Sequence, residues 1–518
     1  MNLLLVKIIG IYICICIGYQ KVYTQVSSEN LKLYLLQNAE KDYKEEQIKE
    51  FYKYTNYQPL WINAENLEIT HNLYTLFSTA AALGLKTEDY PLVDLINIEN
   101  KSIVLKNLKD SIIYEIKLTK GLLKFMNHLY SGNEKPAFGY DGLNFTPKCY
   151  NTAFLLSEII KSNQLQIKYI QNAIKQMPEI SLIEIWIKKL QTIKKEPQFK
   201  EVIIKDTKLK DNNQSLKMKL YQLGMIGSLN ETLSDSALLN IIKKTKRLFN
   251  LEIDGKFNTG LLQALNVSID NRISQLIVSI NYYRWLSCLT QSINQPIVNV
   301  NIPSAYMKVY EGNNVKLAMK MIVGKKTTPT PTLSSRINEV ILYPYWHVPY
   351  SIATKELLPA IKKNTNYLNK WNYQVLNTSG NIVDPYSINW HALSTGYFPY
   401  TIRQSTGCDN SLGLLKLDFF NPFGVYLHDT PVKSLFSKNR RFFSHGCMRM
   451  ENPTELGHLV LKNNTIAIDT LIQKGCLMNK APVIVHAEDH IPVIVWYNTV
   501  GIDANNELIF FEDIYKRF

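Results

Sequence analysis

The sequence lacks the clustered charge that is typical of nucleic-acid-binding proteins. Its 58 lysines and arginines outnumber its 44 aspartates and glutamates, which gives a formal net charge of +14. The cations are nevertheless spread along the chain, with no run of five and no basic stripe interleaved with aromatic side chains. We therefore expect no nucleic-acid partner, whereas an anionic polymer or a membrane surface is compatible with this charge.

The N-terminus lacks an apolar run long enough to cross a membrane as a helix. After Lys7 the apolar stretch at residues 8–19 is 12 residues long, whereas a spanning helix needs about 20. A short apolar run behind an early cation is typical of a signal peptide, so residues 1–24 predict export to the periplasm or cell envelope. Because no clean Ala-x-Ala cleavage site precedes Gln25, an uncleaved membrane anchor is the alternative.

The sequence also lacks closely paired cysteines. None of its seven cysteines lies in a Cys-x-x-Cys motif, which argues against a zinc ribbon and against a thioredoxin-like motif. Two lie in the N-terminal apolar run, and the others are widely spaced: Cys149, Cys288, Cys408, Cys447 and Cys476. In an exported protein this odd number leaves at least one free thiol, even if the other cysteines form disulfides.

The chain is too long for one core, and its composition is that of a globular protein. With 518 residues, 46% of them hydrophobic and 20% charged, we expect two to four domains. Apolar residues recur at helical spacing through residues 29–205, which carry no catalytic constellation and predict a helical scaffold domain. Residues 210–270 predict a unit of three short helices, and residues 271–294 predict a linking helix.

The hydrophobic period changes to strict alternation near residue 295. One face of a predicted strand carries Val315, Leu317, Met319, Met321 and Val323, after a hairpin turn at Gly312, Asn313 and Asn314. Residues 295–476 therefore predict a mostly-β domain with a curved sheet or sandwich, which the strands of 477–518 complete. A helical and loop-like insertion at 347–403 predicts a cap over the sheet. The predicted fold class is a multi-domain α+β protein.

The stretch RRFFSHGCMRME at residues 440–451 carries the clearest chemistry. Cys447 attacks a carbonyl only as a thiolate, so it needs a base or a cationic field. His445 and His428 are both candidate bases, and spacing alone does not choose between them. Gly446 allows close approach of backbone N–H groups that could bind an oxyanion. Three flanking cations would also favour the thiolate: Arg440, Arg441 and Arg449.

Three other interpretations of Cys447 stay open at this point. With His428 and His445 it could bind a metal ion, although no second ligand pair is visible and we predict neither a metal nor another cofactor. It could also form a disulfide, for example with Cys408. Finally, it could be a buried thiol without reactivity, although such a thiol would not explain the neighbouring histidines and arginines.

The motif YLHDTP…FFSHGCMRM resembles the active-site signature of the L,D-transpeptidase family. Five further stretches resemble the large, multi-domain Gram-negative branch of that family: FYKYTNYQPLW at 51–61, NIPSAYMKVYEG at 301–312, VGKKTTPTPTLSSRI at 323–337, YPYWHVPYSIATKELLP at 343–359 and IRQSTGCDNSLGLLKLDFFNPFGVYLHDTP at 402–431. The resemblance implies that 295–476 is an L,D-transpeptidase catalytic domain and that 347–403 is its capping subdomain.

The resemblance also implies a reaction on peptidoglycan stem peptides. The thiol would attack the third residue of a tetrapeptide stem and release D-Ala, and the amine of a second stem would resolve the thioester into a 3→3 crosslink. The implied catalytic residues are Cys447, His428 as base and acid, Asp429 through its carbonyl, Gly446 and Tyr426 at the oxyanion, and His445 in support of the loop. The implied substrate-binding residues are Arg449, which would grip a stem carboxylate, Ser444, Trp346, Tyr345 and Asn410.

Some of these residues have a simpler interpretation. Trp346 is equally compatible with a core aromatic, and Asn410 could simply cap a turn. The family usually has Pro-Gly where this chain has Thr406-Gly407, and the neighbouring Cys408 suggests redox control as a hypothesis.

Residues 213–268 resemble the peptidoglycan-binding domain type 1. The positions that match its pattern are Phe249, Leu251, Asp254, Gly255, Ala264, Leu265 and Asn266. Asn258 replaces the usual second glycine, and we expect it to adopt a left-handed backbone. The alternative is a three-helix spacer without affinity for glycan.

Two other functions remain compatible with the sequence. One is a non-catalytic, peptidoglycan-binding envelope protein. The other is acyl transfer to a different acceptor, which is water in an L,D-carboxypeptidase, a free D-amino acid in an exchange enzyme and a protein lysine in an anchoring enzyme. Envelope proteins are further candidate partners.

Overall fold

The computed structural model describes residues 26–38, 43–62, 67–99, 105, 107–207 and 213–518. The chain divides into two compact units. One contains the residues up to Asn133 together with Lys148–Lys175, and the other contains Glu134–Pro147 together with Gln176–Phe518. The predicted signal peptide or anchor at 1–24 lies outside the described residues. Within the described ranges, no helix has both the length and the hydropathy of a membrane span.

The first unit is helical, as the hydrophobic spacing predicts. Its α-helices are α1 Ser28–Gln37, α2 Tyr43–Tyr54, α3 Leu67–Ser78, α4 Leu92–Glu99, α5 Leu108–Ser131, α6 Thr152–Lys161 and α7 Ile167–Asn172. Polar side chains cap three helix starts, since Ser27, Asn107 and Asn151 each accept the backbone N–H three residues further on. The buried faces share one core, which includes Leu31, Phe51, Phe77, Leu122, Phe125 and Leu156.

A buried carboxylate holds the segment that follows α2 against this helical core. Glu115 of α5 accepts the backbone N–H groups of Leu60, Trp61 and Ile62 at 2.6, 2.9 and 3.3 Å. It also accepts the hydroxyl of Tyr52 at 3.1 Å. Burial raises the pKa of Glu115 to about 7, against the opposing effect of these hydrogen bonds. The side chain thus replaces the hydrogen-bond acceptors that regular secondary structure would otherwise supply.

The second unit contains a β-sheet that closes on itself. Its strands are β1 Tyr140–Asp141, β2 Ile297–Asn301, β3 Tyr306–Glu311, β4 Asn314–Gly324, β5 Leu333–Leu342, β6 Trp346–His347, β7 Tyr373–Leu376, β8 Ile382–Val383, β9 Thr401–Gln404, β10 Leu415–Phe419, β11 Leu427–His428, β12 Phe442–Ser444, β13 Met448–Met450, β14 Val483–Trp496, β15 Val500–Ile502 and β16 Leu508–Phe510. The main sheet has the order β1-β5-β10-β11-β13-β4-β3-β2-β14, and β12 pairs with β4. Because β14 also pairs with β5, the strands from β5 to β14 form a ring around a hydrophobic core. The sequence predicted a curved sheet, and this sheet is in fact closed.

The β3–β4 hairpin tests the predicted alternation directly. Glu311 pairs with Asn314 across the turn, and Gly312 has a φ of 54°, so the predicted hairpin is confirmed. The register shifts between Val309 and Tyr310, which is the signature of a β-bulge. The bulge interrupts the alternation, so Val315 is 46% exposed and its predicted place on the buried face is wrong.

The helices of the second unit are α8 Pro178–Lys194, α9 Asn213–Gln222, α10 Asp235–Leu248, α11 Thr259–Leu265, α12 Ile269–Ser292, α13 Tyr350–Ile352, α14 Leu358–Lys363, α15 Tyr367–Lys370, α16 Pro453–Leu461 and α17 Ile466–Lys474. Three short helices, α9 to α11, therefore lie within 210–270 as predicted. Gly255 supplies the expected turn with a φ of 72°. Asn258 is not left-handed: its φ is −118°, and its side chain caps α11 by accepting the N–H of Leu261.

The insertion predicted at 347–403 has a small hydrophobic core of its own. Its helix α13 continues through a π-helical turn, Ala353–Leu357, into α14. Strands β6, β9, β7 and β8 form a second sheet, which the sequence did not reveal. The buried residues of this layer include Ile361, Leu368, Trp390 and Ile402.

The substitution Glu115→Ala should destabilise the helical unit. It leaves three backbone N–H groups without their acceptor in a buried site, so we expect the free energy of unfolding to fall by about 2–4 kcal/mol. Amide exchange at residues 60–62 should accelerate as well. Denaturant unfolding and peptide-resolved hydrogen exchange measure both effects.

An exposed carboxylate provides the matched control. Glu158 lies on α6 in a half-exposed pair with Lys161, so Glu158→Ala should change stability by less than about 1 kcal/mol. Equal stability of the Glu115→Ala variant and the wild type would contradict the assigned role.

Candidate active site

Three adjacent strands bring two of the predicted site residues, His428 and Arg449, into one row with Lys416. Strand β11 pairs with β10 so that His428 lies opposite Lys416, and it pairs with β13 so that His428 lies opposite Arg449. Residues opposite each other in a sheet project from the same face. Their neighbours in sequence, Leu427 and Met448, project to the other face and are fully buried in the core.

The loop that carries Cys447 is held by the side chain of Ser444 and by the hydroxyls of Thr328 and Thr330. The hydroxyl of Ser444 donates to the carbonyl of Cys447 at 2.6 Å and accepts the N–H of Gly446 at 3.2 Å. The hydroxyl of Thr330 donates to the carbonyl of Gly446 at 2.8 Å. Gly446 has a φ of 118°, a conformation that residues with a side chain rarely adopt.

This geometry changes two expectations about the loop. Because the N–H of Gly446 is bonded to Ser444, its predicted role as an oxyanion donor is not supported. Ser444 itself is 2% exposed and bonded on both sides, so it shapes the loop and is not placed to bind substrate.

Tyr426 connects the nucleophile with the rest of the site. Both its phenol and its backbone hydrogen-bond the Cys447 sulfur. The side chain of Trp346 hydrogen-bonds the same phenol, and the rings of Tyr426 and His428 meet edge to face at 5.7 Å between centroids. Tyr426 and Trp346 therefore both lie at the site, as predicted, and Trp346 is not merely a core aromatic.

His428 is buried and oriented by backbone carbonyls. Its Nδ1 lies 2.5 Å from the carbonyl of Asp429, and because a carbonyl can only accept, Nδ1 carries the proton. Nε2 is then the atom that can accept a proton in the neutral ring. The carboxylate of Asp429 accepts the N–H of Leu414 at 2.9 Å and the ammonium of Lys433 at 2.7 Å, which fixes the segment that supplies the carbonyl.

The electrostatics favour an uncharged thiol and an uncharged imidazole at rest. Burial, together with the positive charge of Arg449, lowers the pKa of His428 to about 3, against the opposing effect of hydrogen bonds to the backbone of Asp429 and Leu412. Burial also raises the pKa of Cys447, although hydrogen bonds from Tyr426 and the charges of Lys416 and Arg449 oppose that rise. The arrangement can therefore supply a nucleophile only if the thiol proton moves to a base during attack.

Lys416 is a functional candidate that the motif analysis missed. Its Nζ lies 4.2 Å from the ring centroid of Tyr426 and 3.1 Å from Oδ2 of Asp418. The signal was the alternation of the stretch LLKLDFF, in which Lys416 and Asp418 share the face opposite the buried Leu415 and Leu417. Register places that face beside His428, and sequence alone does not give the register.

Of the three arginines near Cys447, only Arg449 faces the site. Its Nε has no hydrogen-bond partner among the described residues, and burial lowers the pKa of its guanidinium. Arg441 instead donates to the backbone carbonyls of Ser304 and Ala305, and Arg440 pairs with the exposed Glu512. The expectation that all three favour the thiolate is therefore wrong for Arg440 and Arg441.

The remaining predicted residues lie around the site with different contacts. Nε2 of His445 lies 2.9 Å from Oε1 of Glu356, in the π-helical turn. Tyr345 is covered by the guanidinium of Arg403 at 4.3 Å. Asn410 is 2% exposed, and its amide donates to the carbonyls of Pro344 and Ser405 while its oxygen accepts the N–H of Leu412.

Asn410 therefore has no hydrogen-bonding group left for a ligand. Its burial and internal hydrogen bonds favour the alternative of a turn cap over a position in the substrate cleft. Because Leu412 hydrogen-bonds His428 through its backbone, the capped turn contributes to the site only indirectly.

The cysteines resolve the alternatives for Cys447. Cys408 and Cys476 form a disulfide, and Cys447 is a free thiol. A disulfide between Cys447 and Cys408 is therefore excluded. Within the described part of the chain, no group of three or more histidine, cysteine or acidic residues is arranged to hold a metal ion.

Family models match two parts of the chain. Residues 295–484 match the model described as the L,D-transpeptidase catalytic domain, and residues 46–176 match a model described as a scaffold domain. The resemblance of the Cys447 region to L,D-transpeptidases is thereby confirmed. The helical first unit thus includes the part that matches a scaffold domain, and the β-rich part of the second unit includes the part that matches the L,D-transpeptidase catalytic domain.

One known protein is similar in sequence to part of this chain. Over 217 residues the chain is 34% identical to a protein of Haemophilus influenzae whose name provisionally assigns it to the L,D-transpeptidases; the match covers 42% of this chain and 43% of that relative. The chain thus matches less than half the length of this relative.

Solved structures give distant matches. An L,D-transpeptidase from Mycobacterium smegmatis is 14% identical, with a TM-score of 0.18, over 39% of this chain and 58% of that one. A mutant L,D-transpeptidase from Enterococcus faecium is 13% identical, with a TM-score of 0.18, over 44% and 65%.

The substitution Lys416→Met should make the thiol of Cys447 harder to ionise. The charge of Lys416 lowers the pKa of Cys447, so its removal should move the pH dependence of alkylation to higher pH. The measurement is the rate of iodoacetamide labelling of Cys447 as a function of pH, followed by peptide mapping.

The matched control for this experiment is Lys316→Met. Lys316 lies in an exposed pair with Glu311 and should leave the alkylation profile unchanged. A Lys416→Met profile that coincides with the wild type would remove Lys416 from the site.

Proposed function

We propose that this chain is an L,D-transpeptidase that forms 3→3 crosslinks in peptidoglycan through a thioester on Cys447. The observation that carries the proposal is the free thiol of Cys447, which is hydrogen-bonded to Tyr426. The ring of Tyr426 packs against the imidazole of His428, whose Nδ1 proton is fixed by the carbonyl of Asp429. The match of residues 295–484 to the L,D-transpeptidase catalytic domain supports the same reaction class.

The first half-reaction uses the neutral pair. The thiol proton moves to Nε2 of His428 as sulfur attacks the carbonyl carbon of the third stem residue. The phenol of Tyr426, which already bonds the sulfur, is placed to stabilise the oxyanion that forms. When the tetrahedral intermediate collapses, His428 returns the proton to the amine of D-Ala, the peptide bond breaks, and a thioester remains on Cys447.

The second half-reaction reverses the proton path. The amine of another stem attacks the thioester carbon and gives a proton to His428. The carbon–sulfur bond then breaks, the sulfur recovers the proton, and an amide joins the two stems. A resting imidazole whose pKa is about 3 is uncharged at neutral pH, so it is available as a base in both stages.

Arg449 and the three-helix region supply the proposed binding contacts. The guanidinium of Arg449 stands beside Cys447 with an unpaired Nε, which suits a carboxylate of the donor stem. Residues 210–270 are proposed to bind peptidoglycan on the strength of the motif match alone. The disulfide of Cys408 and Cys476 supports the proposed periplasmic or envelope location, since disulfides persist in oxidising compartments.

The first experiment tests the thioester. Residues 25–518 are incubated with a disaccharide-tetrapeptide and analysed by intact-protein mass spectrometry beside a Cys447→Ala control. We expect an adduct equal to the donor minus D-Ala, which the control lacks. No adduct and no product from a folded sample would support the non-catalytic, peptidoglycan-binding alternative instead. Crosslinked dimers identify the stem amine as acceptor, whereas tripeptide alone would identify an L,D-carboxypeptidase.

The substitution His428→Gln tests the proposed base. Glutamine keeps a polar side chain but accepts no proton, so the rate of adduct formation should fall by about 10²–10⁴-fold. His458→Gln is the control, because His458 pairs with Asp469 on the surface. An adduct that forms at the wild-type rate in His428→Gln would assign the base to another residue.

A further inference from the structure

The π-helical turn of the insertion presents one carboxylate to the loop that carries the nucleophile. Ala353 and Leu357 of this turn are buried in the core of the insertion, while Glu356 projects outward with 52% of its side chain exposed. A π turn in a helix shifts the side chains that follow it and often occurs at functional sites. Here it places the Glu356 carboxylate against His445, two residues before Cys447.

Glu356 is held in place but keeps one oxygen free. Its Oε1 lies 2.9 Å from Nε2 of His445, and the same nitrogen lies 3.4 Å from Nζ of Lys325. Its second oxygen, Oε2, has no hydrogen-bond partner in the described part of the chain. The carboxylate is therefore oriented by His445 while it can still accept a hydrogen bond from a cationic ligand.

A second chain of contacts leads from Glu356 to the nucleophile through aromatic side chains. Burial raises the pKa of Tyr373, and the charges of Tyr367 and Glu356 raise it further. The ring of Tyr373 lies 6.3 Å from that of Trp346, whose side chain hydrogen-bonds Tyr426. Tyr426 in turn hydrogen-bonds Cys447. Glu356 thus adjoins the site through both the loop and the aromatic side chains.

The charges around Cys447 are therefore divided. On the sheet, Lys416 and Arg449 act on the sulfur, and Asp418 pairs with Lys416. On the side of the insertion, Glu356 provides an anion at His445, whose Nε2 also lies 3.4 Å from Nζ of Lys325. A reaction between a carboxylate-bearing donor and an amine-bearing acceptor needs this division. An ammonium group would be repelled by the cations and attracted by the carboxylate.

We propose that Glu356, oriented by His445, is a binding residue for the acceptor, and that its ligand is the primary ammonium group on the side chain of the acceptor's diamino acid. This inference rests on the proposed transpeptidase function, and it names the residue that favours an amine over water as the acceptor. The free Oε2 receives the ammonium, which releases one proton to solvent before the neutral amine attacks the thioester, and the insertion thereby takes part in acceptor selection.

The test separates acylation from capture of the acyl group. The donor is a disaccharide-tetrapeptide whose side-chain amine is acetylated, so that it can acylate Cys447 but cannot act as an acceptor. Two acceptors are then added in separate series: a tetrapeptide stem with a free amine, and hydroxylamine, which is uncharged at mildly alkaline pH. Mass spectrometry follows the acyl-enzyme, and chromatography follows the products.

The substitution Glu356→Gln should raise the stem concentration that gives half-maximal capture by about 10-fold, because one charge-assisted hydrogen bond is lost. Capture by hydroxylamine should not change. Asp469→Asn is the matched control, because Asp469 pairs with His458 at the same 2.9 Å and with nearly the same exposure, away from Cys447. It should leave both series unchanged.

Two results would overturn the inference. Unchanged dependence on the stem in Glu356→Gln would show that the carboxylate does not bind the ammonium. A parallel loss of acylation or of hydroxylamine capture would show that Glu356 only positions the loop through His445. Absence of acylation in the wild type would instead overturn the proposed function, and with it the basis of this inference.

Discussion

The register between β10, β11 and β13 is the constraint on which the site depends. It aligns Lys416, His428 and Arg449 across three strands and leaves Leu427 and Met448 on the opposite face. A slip of one residue would exchange the two faces, burying the charges and exposing the core. The closed sheet resists such a slip, because β14 pairs on both of its sides and each strand from β5 onward has two neighbours.

Within this frame, burial determines how the nucleophile is activated. A thiolate at rest would need exposed cations to stabilise its charge. The sulfur of Cys447 lies instead in a desolvated site, where the uncharged thiol is favoured. His428 is uncharged for the same reason, and the carbonyl of Asp429 fixes the tautomer that can accept a proton. Lys416 and Arg449 lower the pKa of Cys447, but by less than burial raises it. We therefore expect the thiol of Cys447 to lose its proton only when an electrophilic carbonyl is bound beside it.

The sequence predicted those features that depend on local pattern. Helical spacing predicted the first unit, and alternation predicted the β3–β4 hairpin. The resemblance around the Ser-His-Gly-Cys motif implied the carbonyl of Asp429 that lies against Nδ1 of His428, while Cys447 as nucleophile stays a prediction. Features that depend on long-range pairing were missed. The second sheet of the insertion, the closure through β14 and the place of Lys416 beside Tyr426 all require register, which no local pattern specifies. The sequence also did not predict which polar side chains are bonded internally. Asn410 and Ser444 are motif residues, yet both hydrogen-bond the protein's own backbone.

The disulfide between Cys408 and Cys476 places a condition on how the protein matures. Both cysteines are exposed, and Cys447 lies between them in the sequence. An unfolded chain in an oxidising compartment would expose these three sulfurs along with its other cysteines, and two of the three pairings among these three would consume Cys447. Once the sheet has formed, burial keeps Cys447 protonated, and because only a thiolate attacks a disulfide, exchange with the exposed bond is suppressed. If the β core forms before the cysteines are oxidised, Cys408 pairs with Cys476 and Cys447 stays free.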